Sequence, residues 1–542
     1  MDVDSATFWA RLPHMLSAIR DARFVAIDVE MTGISLEMGP YQHTISTHDA
    51  YVRAKKAAEA YQVAQIGLTC CHYEEESSKY TTTSFNCSVS PLFPRGRFSG
   101  LLTRSLNRKF SVAATSFSFL RDNKMCLFGA LENGVHYLRR DEQQRALQLC
   151  REAQRTDEQH INVLELDEPS RTFYEECRAA LAARDIGTTF EPTIITSQHS
   201  DKLNGLQIRL VKQLIREEFP RFKAIKGTKG TMGFMFIRRI NEGDKVQTEA
   251  WGQANIEKAE KLAGLRIVLE ALTGGSFAQQ AHLECTADVG DRAGVEFRGA
   301  SNEKFDIEKC EADLKKRRPV LVGHNMLYDL VFIYNTFFGP LPDGVDDFLH
   351  HIHELFPRIV DTKYMHTRGH HMMDSDMSLK ELHRSYEGHQ FPSVAGSAIL
   401  GGDAHHAGYD SSITMSVFLR QAHSMYRQEQ HLVPVNETIY RPKTTYVHNN
   451  DAPGPISRKS EPSPSEPASI LDLDNDEEAL INAIRKWTPL EPERKKRSQP
   501  LKTTEENYSE KEIHILPPWS SPFWDVYGNK TRVAGAGAIS FV

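Results

Sequence analysis

A pair of carboxylates closes an apolar segment near the N-terminus. The segment covers residues 24–27 (Phe-Val-Ala-Ile), and Asp28 and Glu30 follow it two residues apart. Because side chains alternate across a β-strand, this spacing places both carboxylates on one face. Adjacent carboxylates repel each other, and a hard divalent cation, Mg²⁺ or Mn²⁺, would balance their charge. An Asp-x-Glu pair also arises by chance, so it indicates a metal site only together with further acids.

Two later segments supply such acids and a histidine. Asp329 follows the apolar run at 319–323 by six residues, and His405 precedes Asp410 at the predicted start of a helix. Taken singly, Asp410 could be a helix N-cap and His405 a hydrogen-bonded surface histidine. Taken together, acids and a histidine at the ends of consecutive elements are not explained by capping alone.

Four carboxylates and a histidine suit two-metal hydrolysis of a phosphodiester bond. In that chemistry the carboxylates hold two cations about 4 Å apart, which activate water and stabilise the leaving oxygen. A histidine with an ordinary pKa of about 6.5 can accept the proton of the attacking water at neutral pH. The sequence contains no glycine-rich phosphate loop of the Walker or Gly-x-Gly-x-x-Gly type.

An α/β scaffold would position these side chains. Apolar runs predict strands, and helical periodicity predicts helices between them. The predicted strands cover 24–27, 62–70, 87–90, 319–323 and 357–360, and the predicted helices cover 258–272, 327–338 and 411–425. The alternation predicts an α/β domain whose strand ends gather the acids.

A basic segment interrupts this pattern. Between residues 202 and 240, ten Lys or Arg face only Glu217 and Glu218. Leucines at helical spacing and an apolar run at 234–237 predict a small α/β module. The charge favours contacts with nucleic-acid phosphates, although a solvated charged face would have the same composition.

Composition limits the remaining possibilities. A chain of 542 residues with 40% hydrophobic and 25% charged residues predicts two or three globular units. Its eight cysteines form no Cys-x-x-Cys pair, so neither a zinc site nor a disulfide framework is indicated. No apolar run reaches the roughly 20 residues of a membrane span, and the first residues do not resemble a signal peptide. We therefore expect a soluble intracellular protein.

The C-terminal part has a different composition. Residues 451–470 are rich in Pro and Ser, residues 472–478 are acidic, and Arg494 to Arg497 form a basic run. Such a segment cannot bury enough apolar surface to fold alone, so we expect it to be largely disordered. The basic run is either a nuclear-import signal or without function.

Five strings resemble those of a known enzyme family. They are Glu30-Met-Thr-Gly-Ile34, His324-Asn-Met-Leu, Phe338-Gly-Pro-Leu-Pro342, Phe356-Pro-Arg-Ile-Val-Asp-Thr-Lys363 and His405-His-Ala-Gly-Tyr-Asp410. With the order of the acids, they resemble the DEDDh 3′–5′ exonucleases, and among these the poly(A)-specific ribonuclease (PARN) group of the CAF-type deadenylases. The resemblance runs from near residue 8 to about residue 430.

The resemblance implies an RNase H-like exonuclease domain, a mixed sheet flanked by helices, that is split by an insert. The implied parts are 1–178, the first part of the nuclease domain; 185–245, a basic insert resembling a single-stranded nucleic-acid-binding domain of the R-three-H type; 255–432, the second part of the nuclease domain; 436–510, a low-complexity tail; and 511–542, a short ordered element.

The resemblance also assigns roles to residues. It implies that two Mg²⁺ ions, or Mn²⁺, are held by Asp28, Glu30, Asp329 and Asp410, and that His405 is the general base. The residues implied to bind substrate are Met31, Ile34, Asn325 and Lys363.

Three departures from the family pattern bear on these roles. Met31 stands where relatives commonly have an aromatic residue, and the insert has Arg209-Leu-Val-Lys-Gln213 without the histidine of its namesake motif. His406 replaces an acid and offers a second candidate base, although the spacing to Asp410 favours His405.

The resulting hypothesis is a metal-dependent 3′–5′ exoribonuclease that removes poly(A) tails from RNA and releases 5′-AMP. The alternatives are a sequence-tolerant trimmer of small or non-coding RNA, a DNA exonuclease, and a catalytically silent RNA-binding protein of the same fold. The expected partners are single-stranded RNA 3′ ends and, by resemblance, a second copy of the chain, without a membrane. The expected compartment is the nucleus or the cytoplasm.

Overall fold

The computed structural model describes most of the chain. The described residues are 1–36, 44–93, 106–154, 160–185, 193–196, 203–226, 234–241, 256, 259–260, 262–287, 305–368, 377–396, 406–435, 437–443 and 515–542. Of the tail predicted to be disordered, 436–510, only residues 437–443 are among them. None of the described helices combines the length and the apolar character that a membrane span requires.

The described chain contains both strands and helices. The strands are β1 (Asp2–Val3), β2 (Phe24–Met31), β3 (Val63–Glu74), β4 (Lys79–Ser90), β5 (Val135–His136), β6 (Thr193–Ile195), β7 (Phe222–Lys226), β8 (Met235–Arg239), β9 (Val320–Gly323), β10 (Ile359–Asp361), β11 (Val394–Gly396), β12 (Ile439–Tyr440), β13 (Lys530–Val533) and β14 (Gly537–Ser540). The helices are α1 (Phe8–Asp21), α2 (Thr47–Ala60), α3 (Ala114–Asp122), α4 (Leu127–Asn133), α5 (Arg140–Gln154), α6 (Glu168–Asp185), α7 (Gly205–Glu218), α8 (Arg266–Thr273), α9 (Ala278–Ala287), α10 (Ile307–Lys316), α11 (Leu327–Ile333), α12 (Val345–Leu355), α13 (Thr362–Thr367), α14 (Leu379–Tyr386), α15 (Ala407–Arg427) and α16 (Pro522–Tyr527).

The main sheet is mixed, with the order β1-β4-β3-β2-β9-β10, and β5 and β11 also pair with β4. Strand β2 is parallel to β9 and antiparallel to β3, and β9 is parallel to β10. Helices cover both faces, as two separate apolar clusters show. This confirms the predicted α/β class with a mixed sheet flanked by helices.

The alternation along β2 decides which face carries the acids. Val25 and Ile27 pack into the larger cluster, with α1, α2 and α11. Phe24 and Ala26 point the other way and pack with Met415 and Phe418 of α15. The period of two therefore directs the acids that follow toward α15.

A second sheet, with the order β6-β8-β7, lies within the predicted insert, 185–245. Helices α6 and α7 pack with it around an apolar cluster separate from the main ones. Helix α6 belongs to this cluster, although the expected boundary between 178 and 185 divides it. The division of the chain into domains stays a prediction.

A third sheet, with the order β12-β14-β13, comes from the end of the described chain. The Asn529 side chain accepts a hydrogen bond from the Ile359 amide at 2.9 Å, and the Asn529 amide donates to the Ile359 carbonyl at 2.7 Å. This sheet therefore packs beside β10, at the edge of the main sheet.

Two helices differ from the sequence prediction. The helix predicted over 258–272 is interrupted, because Gly264 has a φ of 53° and α8 begins only at Arg266. The helix predicted over 327–338 is α11 followed by a π-helical turn, Tyr334–Phe338. Helix α15 contains the predicted 411–425 and begins four residues earlier, at Ala407.

Candidate active site

Three carboxylates converge between β2 and α15. One oxygen atom of each of Asp28, Glu30 and Asp410 lies within 4.8 Å of the others. Strand β2 supplies the first two, and the first turn of α15 supplies the third. Since His406 is the N-cap of α15, Asp410 is not the capping residue that the sequence left open. Oxygen atoms at this spacing are suited to share a divalent cation.

A glycine allows α15 to approach the sheet so closely. Gly67 of β3 lies opposite Asp28 in the ladder between β2 and β3. A Cβ atom at Gly67 would lie 1.8 Å from the carbonyl oxygen of Ala407, the first residue of α15. The absence of a side chain at Gly67 therefore permits the contact that brings Asp410 to Asp28.

The ladder is irregular where the acids stand. The pairing register of β2 with β3 shifts between Glu30 and Met31, so that Glu30 pairs with Gln65 and Met31 with Val63. A bulge of this kind changes the direction of the side chains beside it. Here it lies next to Glu30 and ends β2 at the acid cluster.

Asp329 is the fourth acid of the site. It lies in the first turn of α11, directly after β9, and is outside the group of three converging oxygens. Its negative charge nevertheless contributes to raising the pKa values of both Asp28 and Glu30. Burial raises the pKa of Asp329 itself to about 7. Hydrogen bonds from the backbone, including that of Val29, oppose this rise.

The electrostatics of the cluster fit a cation. Burial is the first cause that raises the pKa of Asp28 well above its ordinary value, and the charges of the other three acids follow. Burial, with Asp410 and Asp329, raises the pKa of Glu30 to about 8. Among the described residues, the charged groups that raise these two pKa values are all carboxyl groups, and no cation of this part of the chain offsets their repulsion. Oxygen donors with uncompensated negative charge are the ligands that Mg²⁺ and Mn²⁺ prefer.

A fifth acid, Asp361 at the end of β10, supports the site and is not part of the converging group. It is fully buried, at 0% exposure. Its carboxylate accepts hydrogen bonds from the backbone amides of Asn325 at 3.0 Å and Met326 at 3.4 Å. It also accepts a hydrogen bond from the Thr531 hydroxyl of β13. Asp361 thus fixes the turn that leads into Asp329 and connects it to the C-terminal sheet.

Two of the predicted substrate contacts lie beside that turn. Asn325 is exposed and has a left-handed φ of 56°, so it ends β9 sharply. Lys363, on α13, donates a hydrogen bond from Nζ to the Met377 carbonyl at 3.0 Å. The pKa of His324 falls to about 3 because of burial and then the charge of Lys363, which places that charge near the turn.

The other two predicted contacts differ in accessibility. Ile34 is 58% exposed, whereas Met31 is only 9% exposed and packs in the larger core cluster. Ile34 therefore offers a surface to a ligand, and Met31 offers little. The substrate-binding role of all four residues stays a prediction.

Of the two histidines at the start of α15, only the second is among the described residues. His405 lies outside the described residues, so its role as a base stays a prediction. The Nε2 atom of His406 lies 3.0 Å from the Asn86 amide nitrogen and 3.8 Å from the Asp2 carboxylate. His406 thus joins α15 to β4 and β1, and is not among the described residues that converge at the acids.

Sequence reasoning found the acids but missed the residues that position them. Gly67 and Asp361 act through contacts with segments hundreds of residues away along the chain. A strand glycine is a weak signal of a close backbone approach, and it does not identify the partner. Asp361 was visible as an acid after a strand, without a sign that backbone amides would surround it.

Comparison with known proteins places this geometry in context. The model of the CAF1 family of ribonucleases matches residues 3–418. The Xenopus laevis poly(A)-specific ribonuclease PARN is 23% identical over 456 residues, covering 78% of this chain and 62% of the relative. The Bombyx mori pre-piRNA 3′-exonuclease trimmer is 22% identical over 386 residues, covering 71% of this chain and 60% of the relative. The chain thus spans about three fifths of the length of these curated relatives.

A solved structure is also similar. It is Schizosaccharomyces pombe Pop2p in its Mg²⁺- and Mn²⁺-bound form, at 12% identity and a TM-score of 0.33, covering 78% of this chain and 92% of that one.

Proposed function

Because the chain belongs to the CAF1 family of ribonucleases, we propose that it is a metal-dependent 3′–5′ exoribonuclease that removes poly(A) tails and releases 5′-AMP. The observation that carries the proposal is the convergence of Asp28, Glu30 and Asp410, with Asp329 close enough to act on them electrostatically. A half-buried set of acids that no cation of the described residues balances has little structural benefit, because desolvation and repulsion both oppose its ionisation.

The residues have separate parts in the reaction. Asp28, Glu30, Asp329 and Asp410 would hold two Mg²⁺ or Mn²⁺ ions. Such ions supply Lewis-acid stabilisation of the scissile phosphate and its leaving oxygen. His405 would take the proton of the attacking water, and the turn at Asn325, fixed by Asp361, would position the terminal nucleotide.

RNA contacts beyond the acids would come from two surfaces. Asn325 and Lys363, beside the end of β9, and the exposed Ile34, which follows β2, would contact the last nucleotides. In the basic segment, Arg209 and Lys212 of α7 are exposed, and Leu210 and Leu214 form the buried face of the helix. This helix would contact RNA phosphates, and its positive charge makes that contribution dependent on salt.

A second candidate is a sequence-tolerant trimmer of RNA 3′ ends. The observation that favours it is the trimmer from Bombyx mori, which this chain resembles about as well as it resembles the poly(A)-specific enzymes. Both candidates need the same acids, so only the choice of base separates them. Base choice depends on stacking and pocket shape at the terminal nucleotide.

A time course on 5′-labelled RNAs ending in A, U or C tracts tests both candidates. The parent protein is compared with Glu30→Gln, and Glu132→Gln is the matched control because Glu132 is exposed and far from the acids in sequence. We expect a Mg²⁺-dependent ladder on A-tailed RNA that Glu30→Gln loses and Glu132→Gln keeps. Equal ladders on all tails would favour the trimmer. The absence of any ladder, with RNA binding retained, would contradict both and favour the silent RNA-binding protein.

We also propose a homodimer in the nucleus or the cytoplasm. The dimer rests on the resemblance to the PARN group, and nuclear import would depend on Arg494 to Arg497. Light scattering that gives a monomer mass across the working concentration range would contradict the dimer. The import signal is tested by replacing the four basic residues with Ala in a fluorescent fusion. A distribution between nucleus and cytoplasm that stays unchanged would contradict the signal.

A further inference from the structure

A second pocket lies at the end of the main sheet away from the acids. Its volume is 270 Å³, and Phe24, the first residue of β2, lines it. Glu30 lies six positions after Phe24 along β2, which corresponds to about 20 Å at the rise of a strand. The residues of interest in its lining are Arg23, Arg317, Arg318, Arg358, Trp519 and Trp524.

The four arginines are held by backbone carbonyls. Arg23 donates to the carbonyl oxygens of Leu516 and Pro517, each at 2.9 Å. Arg318 donates to the Glu354 carbonyl at 2.7 Å, and Arg358 donates to the Arg318 carbonyl. Arg317 donates a long hydrogen bond, at 3.5 Å, to the Ala22 carbonyl.

No carboxylate among the described residues forms a salt bridge with these arginines, Arg23, Arg317, Arg318 and Arg358. Burial, followed by the charges of Arg317 and Arg318, lowers the pKa of Arg358, as expected where guanidinium groups crowd together. Four guanidinium groups around one cavity, hydrogen-bonded to neutral acceptors, have the charge and the donor geometry that an anion requires.

The aromatic wall adds a second kind of contact. The rings of Trp519 and Trp524 are stacked, with centroids 5.3 Å apart and planes 17° apart. Trp524 is buried and donates from Nε1 to the Pro517 carbonyl at 3.1 Å, whereas Trp519 is half-buried. A partly exposed indole that a buried one supports is a rigid platform on which a flat ring can stack.

We propose that this pocket binds a nucleoside phosphate, with the phosphate on the arginines and the base on Trp519. Guanidinium groups match phosphate oxygens in a bidentate manner, and aromatic side chains stack on bases of any sequence. The volume is just below the range of about 300–1,000 Å³ of pockets for drug-sized ligands, which suits one nucleotide. The ligand is a free nucleotide or one unit of an RNA strand, and the site is separate from the acid cluster.

Calorimetric titration in EDTA with AMP, adenosine and inorganic phosphate tests the site. We expect AMP to bind at least tenfold more tightly than adenosine or phosphate alone. Arg317→Glu and Trp519→Leu should each weaken AMP binding at least tenfold. Lys316→Glu is the matched control, because it makes the same charge change one residue away and Lys316 does not line the pocket.

Three results would overturn the proposal: no AMP binding, AMP binding that Arg317→Glu and Trp519→Leu leave unchanged, or an equal loss in Lys316→Glu. Displacement of AMP by a polyglutamate peptide at equal concentration would also overturn it, because the pocket would then recognise charge alone. A 3′-blocked oligo(A) distinguishes the sources of the ligand. RNA binding that Arg317→Glu weakens as much as AMP binding would identify an RNA unit, and unchanged RNA binding would identify a free nucleotide.

Discussion

Replacement of Glu30 by Gln should stabilise the metal-free protein, and increasingly so as the pH rises. Burial and neighbouring acids raise the pKa of Glu30 from 4.5 to about 8. Between these two values the folded protein holds a proton that the unfolded chain has released. The stability of the parent therefore falls with rising pH across this window, whereas Gln has no proton to lose.

The size of the effect follows from one extra bound proton. One proton bound only in the folded state changes the free energy of unfolding by about 1.4 kcal/mol per pH unit. The free energy of unfolding of Glu30→Gln minus that of the parent should therefore rise by about 2.7 kcal/mol between about pH 5.5 and about pH 7.5. The difference between the two proteins is the quantity to follow. His324, whose pKa burial lowers to about 3, changes the stability of both proteins alike below its unfolded pKa.

Urea unfolding followed by circular dichroism, in EDTA at constant ionic strength, measures this difference. Glu132→Gln serves as the control and should give a flat difference. Saturating Mg²⁺ should reverse the sign, because an ion that binds only the folded state stabilises the parent more than the variant. A difference that is flat or falls with pH in EDTA would refute the reasoning that the acids are crowded and buried without a cation.

Four further substitutions test other parts of the site. Gly67→Ala places a Cβ atom 1.8 Å from the Ala407 carbonyl, and we expect it to cost about 1–3 kcal/mol of stability. A rise of the melting temperature with Mg²⁺ as large as that of the parent would contradict the role of Gly67 in positioning Asp410. Lys363→Ala should raise KM for A-tailed RNA about tenfold with little change in kcat, and steady-state kinetics that show only a kcat effect would argue against a binding role. His405→Ala should lower kcat about 100-fold or more. His406→Ala should keep kcat within about twofold of the parent and lower Tm. The opposite result would identify His406 as the base.

The part of the site that local rules govern could be predicted from the sequence. The period of two along a strand places Asp28 and Glu30 on one face, and the structure keeps them there, within a β2 that continues to Met31. The helix that carries Asp410 follows from its apolar spacing, and its start moves only to Ala407. Such features depend on neighbours in the sequence and need no knowledge of the tertiary fold.

The remaining features depend on contacts between distant segments. The close approach of α15 to Gly67, the amides around Asp361 and the contact of His406 with Asn86 arise only after the sheet has formed. Gly264 shows the same limit in a helix, because apolar periodicity continued across it while its left-handed φ interrupted the helix. The arginine pocket brings Trp519 together with arginines that follow α1, follow α10 and precede β10. No spacing along the sequence relates these residues.

Binding of Mn²⁺ to the acids is the most direct test of the account. Electron paramagnetic resonance titration of the parent should show about two Mn²⁺ ions per chain. Asp28→Asn should lose at least one of these ions and all exonuclease activity, whereas Glu132→Gln should keep both. A parent protein that binds no Mn²⁺, or an Asp28→Asn variant that binds it as well as the parent, would contradict the assignment of the acids as a metal centre.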